Sequence, residues 1–278
     1  YQLLAWCIFA TVSSAVERTL SDGLLSELYL NRPTENSIIV SWFTDYEGSD
    51  HEVYLDLDPR VVFPAESKRM SRLLEDAHSR LYDELGKPLY TGLTERPVWR
   101  HAAVVTGIEP GSRIPYFVAS TDGHGVRYES GTYTLQAAPN KGQSVKIVLA
   151  SDHQNGAMVN AVFQKLVETV GTPDAILFAG DLVSTPNRAS AWFDTSSSPF
   201  FPSLQGTFKS LFPDSTYTGG AILQFAPLFG SIGNHESPGR FALHETEGRD
   251  LEFVDNSPQP RWYAEYRYDR EVSAGNLT

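Results

Sequence analysis

Three short segments of the chain combine carboxylate, amide and imidazole side chains with glycine turns. They are Asp152-His153-Gln154 in "LASDHQNG", Gly180-Asp181 in "FAGDLV", and Gly233-Asn234-His235-Glu236 in "SIGNHE". Oxygen and imidazole donors are what divalent cations such as manganese, iron and zinc accept. Two such ions, about 3.5–4 Å apart, need a carboxylate that bridges them. Asp181, on the middle segment, is the expected bridge, with Asp152 on one ion and the Asn234 side-chain oxygen on the other. Asn donates oxygen without adding negative charge, and His153 or Gln154 would stand beside the set. Such a centre can bring the pKa of a shared water toward neutrality and clamp a phosphoryl group for in-line attack by hydroxide. His235 would then stabilise the developing charge or protonate the leaving oxygen.

Each segment alone has a plainer reading. An Asp leaving a strand often caps the next helix, and Gly-Asp is a common turn. The order and placement of the three carry the signal, because each follows an apolar run. "VKIVLA" (145–150), "DAILFAG" (174–180) and "APLFGSI" (226–232) read as strands buried on both faces. Between the first two lies "AMVNAVFQKLVETVG" (157–171), in which Val159, Val162, Phe163, Leu166, Val167 and Val170 recur at helical spacing before a glycine stop. Strand, helix and strand predict a βαβ unit and a parallel sheet. Ligands bind beyond the carboxyl ends of such strands, where all three segments fall.

The preceding residues follow another pattern. From about 22 to 137, short alternating runs such as "NSIIVSWFTD", "HEVYLDLD" and "RHAAVVTGIEPGSRIPYFVAST" are broken by turn signals, as in an antiparallel sandwich. Within it, "ESKRMSRLLEDAHSRLYDEL" (66–85) places Met70, Leu73, Leu74, Ala77, Leu81, Tyr82 and Leu85 at helical spacing, so a helical insertion is expected there. "AAPNKGQS" supplies a linker over 138–144. His51, His78, His101 and His124 fall in the sandwich or its insertion and are expected at the surface, while Trp192 and Phe193 are expected in the core.

Composition bounds the partners. The 278 residues are 41% hydrophobic and 20% charged, enough for a sizeable core, and the net charge of −12 opposes binding to nucleic acid or an anionic membrane. Residues 1–15 carry an apolar core and small residues, Ser13-Ser14-Ala15, like a secretion signal, and are too short to span a bilayer. A secreted or periplasmic location follows as the expectation. Cys7, the sole cysteine, lies in that segment, so neither a disulfide framework nor a thiolate zinc site is expected.

"SIIVSW" and "HAAVVTGIEPGSRIPYFV" resemble the fibronectin type III-like domain that precedes the catalytic domain of purple acid phosphatases. "SDH", "FAGDLV" and "SIGNHE" resemble the first three blocks of the calcineurin-like metallophosphoesterase superfamily, over about residues 145–240. The resemblance implies an all-β sandwich followed by the first half of an α/β metallophosphoesterase domain (145–278). It also implies a dinuclear metal centre held by Asp152, Asp181 and Asn234, with His235 catalytic and a small phosphate ester as substrate. Asn187, Arg188 and Arg240, in loops beside the blocks, are the expected phosphate contacts. Two departures stand out. Gln154 occupies the place where the superfamily's first block has His or Gly, and Ser184 the place of the purple acid phosphatases' iron-binding tyrosine. After Glu236 only His244 stands where two further histidine blocks are expected. These departures favour a rival reading, a non-catalytic secreted binding or adhesion module with a degenerate phosphatase-like part.

Overall fold

The computed structural model describes residues 23–70, 73–83, 85–194, 197–209 and 217–236. The signal-like segment 1–15, Arg240 and His244 lie outside the described residues.

The first eleven strands are β1 (Tyr29–Asn31), β2 (Ser37–Thr44), β3 (Ser49–Leu55), β4 (Val61–Pro64), β5 (Glu66–Met70), β6 (Leu74–Glu75), β7 (Thr94–Glu95), β8 (Val98–Thr106), β9 (Ile114–Thr121), β10 (Arg127–Glu129) and β11 (Tyr133–Leu135). There follow β12 (Ile147–Ala150), α1 (Val159–Val170), β13 (Ala175–Phe178), α2 (Ala189–Phe193), α3 (Phe200–Gln205) and β14 (Leu228–Gly230). The described chain is therefore mostly sheet with few helices.

One antiparallel sheet runs β1-β2-β8-β5 and a second β10-β9-β3-β4, with β11 also on β9; β6 and β7 form a small separate pair. Ile38, Val40 and Trp42 of β2 meet Val53 and Leu55 of β3 and Tyr116 and Val118 of β9 in the core between the two sheets. Successive side chains on a strand point to opposite faces. Phe43, next to Trp42, accordingly enters a second core, and both rings are fully buried. A strand apolar on both faces must be covered on both. The cover here is the rest of the chain: Tyr29, Phe43, Met70, Leu73 and Val98 share this second core with Phe163, Phe178, Trp192, Phe193, Phe200 and Phe201. β1 is drawn in as well, since Leu30 donates its N–H to the Leu223 carbonyl at 3.0 Å and bridges Pro227 just before β14.

The expected helix over 66–85 is replaced by strands. β5 pairs antiparallel with β8, Glu66 opposite Ala102 and Met70 opposite Val98. Met70 and Leu73 are buried, but Tyr82 and Leu85 at the other end of the supposed stripe are exposed. The reason is non-local: β8 offers an open edge, and pairing with it satisfies backbone groups that a short isolated helix would leave marginal. Arg69 adds an ion pair to Glu95 at 2.6 Å and lies over the Trp99 ring at 5.7 Å.

The histidine expectation divides. His78 and His124 are exposed, but His51 and His101 are buried, with their rings stacked 3.6 Å apart between the two sheets. Each ring nitrogen of the pair finds a hydroxyl or carbonyl partner, which is what lets a polar ring replace an apolar one there.

The βαβ expectation holds for topology, but the expected burial on both faces does not: Ile147 and Leu149 of β12 and Leu177 of β13 are exposed. β12, β13 and β14 are parallel neighbours in that order, Leu149 opposite Leu177 and Leu177 opposite Phe229. α1 buries Phe163 and ends at Gly171, whose positive φ of 71° accommodates the turn and whose N–H caps the Val167 carbonyl. Trp192 and Phe193 are in the core, as expected.

Candidate functional site

The chain leaves β12, β13 and β14 at the same end of the parallel sheet, and the three polar segments meet there. Their contact begins with glycine. A Cβ on Gly180, which has φ of 88°, would lie 2.4 Å from the Gly233 nitrogen, and one on Gly233 would lie 2.0 Å from Asp181 Oδ1. Only hydrogen at both positions allows the second and third turns to touch. Asp181 N–H, Leu182 N–H and Gly233 N–H then all donate to the Glu236 carboxylate, at 2.8, 2.7 and 2.9 Å. Asp181 Oδ1 accepts the His235 N–H at 2.9 Å, closing the junction from the other side. Burial raises the Glu236 carboxyl above its ordinary pKa, with the three N–H donors pulling the other way.

The first turn is tied to the second. Asp152 N–H donates to the Gly180 carbonyl at 3.2 Å and Gln154 N–H to the Asp181 carbonyl at 3.3 Å. Asp152, Gln154, Asn155 and Asp181 all adopt positive φ, between 41° and 55°. Four non-glycine residues in that region within one site need strong bracing. Asn155 supplies part of it, donating to the Ala191 and Ser198 carbonyls and accepting the Ser184 N–H. Ser184 connects all three turns: its hydroxyl donates to the Gln154 carbonyl at 2.5 Å, and its own carbonyl accepts the His235 Nδ1–H at 2.9 Å. The helix-capping alternative for Asp152 is excluded, because α1 begins after Met158, six residues further on, with no side-chain cap.

Gln154 and His153 part company. The Gln154 amide donates to Asp152 Oδ1 at 3.3 Å and to Asp181 Oδ2 at 3.0 Å. His153 is buried against the rings of Phe163 and Phe200, and its Nδ1 accepts the Asn155 N–H. Burial pushes that imidazole down to about 3, so it stays neutral. His153 is therefore a core residue, and Gln154 is the residue at the carboxylates. Asn234 is exposed in the third turn and His235 is half-buried beside it.

Of the expected phosphate contacts, Arg188 is committed elsewhere: Nη2 meets both Asp76 oxygens at 3.1 Å and Nη1 meets Thr185 Oγ1. Asn187 is buried, its carbonyl accepting the Leu74 N–H. Both serve to fasten the β6 region to the loop before α2. Arg96 and Arg113 are likewise paired, with Glu75 and Asp194 and with Asp174. Glu236, Asn155 and Ser184 were not singled out by sequence as site-forming; the only signal was their position within or beside the three blocks.

Asp152 and Asp181 thus converge with a neutral amide between them, and Asn234 stands at the adjoining strand end. Two carboxylates and an amide oxygen are a donor set suited to a hard divalent cation. No group of three or more His, Cys, Asp or Glu residues able to hold a metal occurs among the described residues.

No protein-family model matches the chain, and no curated protein matches it. Among solved structures it is similar to the purple acid phosphatase PPD1 from yellow lupin (Lupinus luteus) seeds, with a TM-score of 0.53 and 18% sequence identity. The likeness covers 79% of this chain and 37% of that chain, so the chain spans well under half the length of that protein. The fold is accordingly like that of a purple acid phosphatase.

Proposed function

We propose that the chain carries the first half of a metal-dependent phosphoesterase domain behind a fibronectin type III-like sandwich, and that it belongs to a secreted hydrolase of small phosphate esters. The observation that carries this reading is the meeting of Asp152, Asp181 and the Asn234-His235 turn at the carboxyl ends of three adjacent parallel strands. The phosphatase-like fold supports it.

Asp152, Asp181 and Asn234 would hold the metal. Divalent cations there would supply Lewis-acid activation of water and neutralise charge on the phosphoryl group. The chain's own contribution is position. Glu236 and the paired glycines set the Asp181 backbone, and its Oδ1 is oriented by the His235 N–H. The Ser184 carbonyl holds the His235 Nδ1 proton, which leaves Nε2 as the atom that carries or releases a second proton toward a leaving oxygen.

The test is metal content and hydrolysis together. Purified full chain is expected to bind manganese, iron or zinc and to hydrolyse an aryl phosphate. Asp181→Ala is expected to weaken metal binding by more than the roughly 10–100-fold that loss of an outer-shell partner costs, and to abolish hydrolysis. Protein that binds none of the three metals and remains inactive after their addition would sink the reading.

One observation favours the rival, a non-catalytic binding module with a degenerate phosphatase-like part. The Gln154 Nε2 bridges one oxygen of Asp152 and one of Asp181, taking acceptor positions that a metal would use. Metal binding that survives with no turnover on aryl phosphates or nucleotides would select that reading.

A further inference from the structure

The place of Gln154 is built, not incidental. Its backbone N–H is held by the Asp181 carbonyl and its own carbonyl by the Ser184 hydroxyl, so the side chain starts from a fixed point. Its φ of 41° is one that a glutamine adopts rarely, and the neighbouring Asn155 clamps the loop that imposes it. From there the amide reaches the carboxylates of Asp152 and Asp181, which come from the ends of two different strands. Ionised carboxylates only accept hydrogen bonds, so the NH2 and not the carbonyl oxygen must face them. A two-hydrogen donor with partial positive charge therefore sits where two negative groups converge.

We propose that Gln154 is a built-in stand-in for the cation. Its NH2 holds Asp152 and Asp181 together in the metal-free chain, and it has to withdraw, or turn its Oε1 inward, when a divalent ion enters. The proposal rests on the metal-site reading above and assigns to that site a regulated entry. Two consequences follow from the chemistry. In the metal-free state the amide offsets repulsion between the carboxylates, so the pre-formed site costs less to keep. On metal binding its two hydrogen bonds are given up, so the amide lowers affinity. A glutamine that merely fills space would do neither, and one acting as a ligand through Oε1 would raise affinity.

Manganese titration calorimetry on the metal-free full chain separates these roles, alongside thermal melts with and without manganese. Gln154→Ala removes the amide. Gln154→Asn keeps an amide and tolerates positive φ, but is one methylene too short to span both carboxylates. Both variants are expected to bind manganese more tightly than wild type, Gln154→Ala by about thirtyfold if both lost hydrogen bonds are of ordinary net strength, and Gln154→Asn by less. Both are also expected to melt lower than wild type when metal-free and to lose that difference when saturated. Equal or weaker affinity in a folded Gln154→Asn protein overturns the proposal while leaving the metal site standing. Absence of binding in all three proteins overturns both the proposal and the reading beneath it.

Discussion

At the scale of single residues, the junction of the second and third turns depends on Glu236. One carboxylate accepts three backbone N–H groups from two separate turns, a task no neutral side chain of the same shape performs. In Glu236→Gln one oxygen becomes an NH2 that faces N–H donors. The expected cost is about 1–3 kcal/mol of folding stability, as for a buried donor left without its acceptor. Chemical denaturation at neutral pH measures it, and a change below about 0.5 kcal/mol would mean that the turns are held by packing alone. The meeting of the Asp152, Asp181 and Asn234-His235 turns was legible because each follows a short apolar run that reads as a strand of one parallel sheet. The roles of Glu236 and Ser184 were not, since a hydrogen bond to a backbone leaves no mark on residue spacing.

At the scale of elements, the two sandwich sheets are joined by a polar plug whose protons can be assigned. His51 Nε2 faces the Glu47 carbonyl and must donate, so its Nδ1 accepts from the Ser120 hydroxyl, which itself accepts the Trp42 indole N–H. The Thr44 hydroxyl donates to the Tyr46 carbonyl and so accepts from His101 Nε2, leaving His101 Nδ1 to accept from Ser67. Both imidazoles are neutral, and a proton added to either has to break this chain beside a stacked neighbour. Burial pushes His101 down to about 3, helped by His51 and Arg100. It lowers His51 too, against the Glu47 carbonyl and Asp50, which favour its charged form. In the unfolded chain both titrate near 6.5. The contribution of neutral His101 is therefore complete above about pH 6.5 and is lost progressively as pH falls toward about 3, and that of His51 declines in the same direction. Unfolding free energies taken from pH 7.5 down to pH 4.5 are expected to decline, with a shallower slope in His51→Gln/His101→Gln protein. Parallel slopes would remove the pair from the account. The sequence could not disclose this plug, because a lone histidine in an alternating strand reads the same whether its face meets water or another sheet. The strand β5 was hidden for a related reason: its Met70 opens an apolar set at helical spacing over 66–85, and only the distant edge of β8 makes Glu66–Met70 a strand.

At the scale of the whole molecule, the described sandwich and the parallel sheet share a core. Phe201 touches rings from both sides of the seam: Tyr29 at 5.3 Å, Phe43 at 5.2 Å and Phe193 at 5.6 Å between centroids. A linker over 138–144 suggests separable units, yet the apolar outer face of β1-β2-β8-β5 is buried by helices that come after it. Phe201→Ala is expected to cost about 3–5 kcal/mol and to lower a single unfolding transition as a whole. Calorimetry that resolves two transitions, only one of them shifted, would contradict a shared core.

What the sequence by itself determined is the part governed by local pattern. The period of "AMVNAVFQKLVETVG" set α1, the short apolar runs set β12 and β13, and their alternation implied a parallel sheet with polar turns at one end. The tertiary structure decided which neighbour faces the carboxylates. His153 and Gln154 are adjacent, and both types suit a polar site. The imidazole lies in an aromatic pocket formed by α1 and α3, so the amide alone remains at the meeting point of Asp152 and Asp181. Packing against residues far along the chain made that choice, and no spacing within "SDHQ" encodes it.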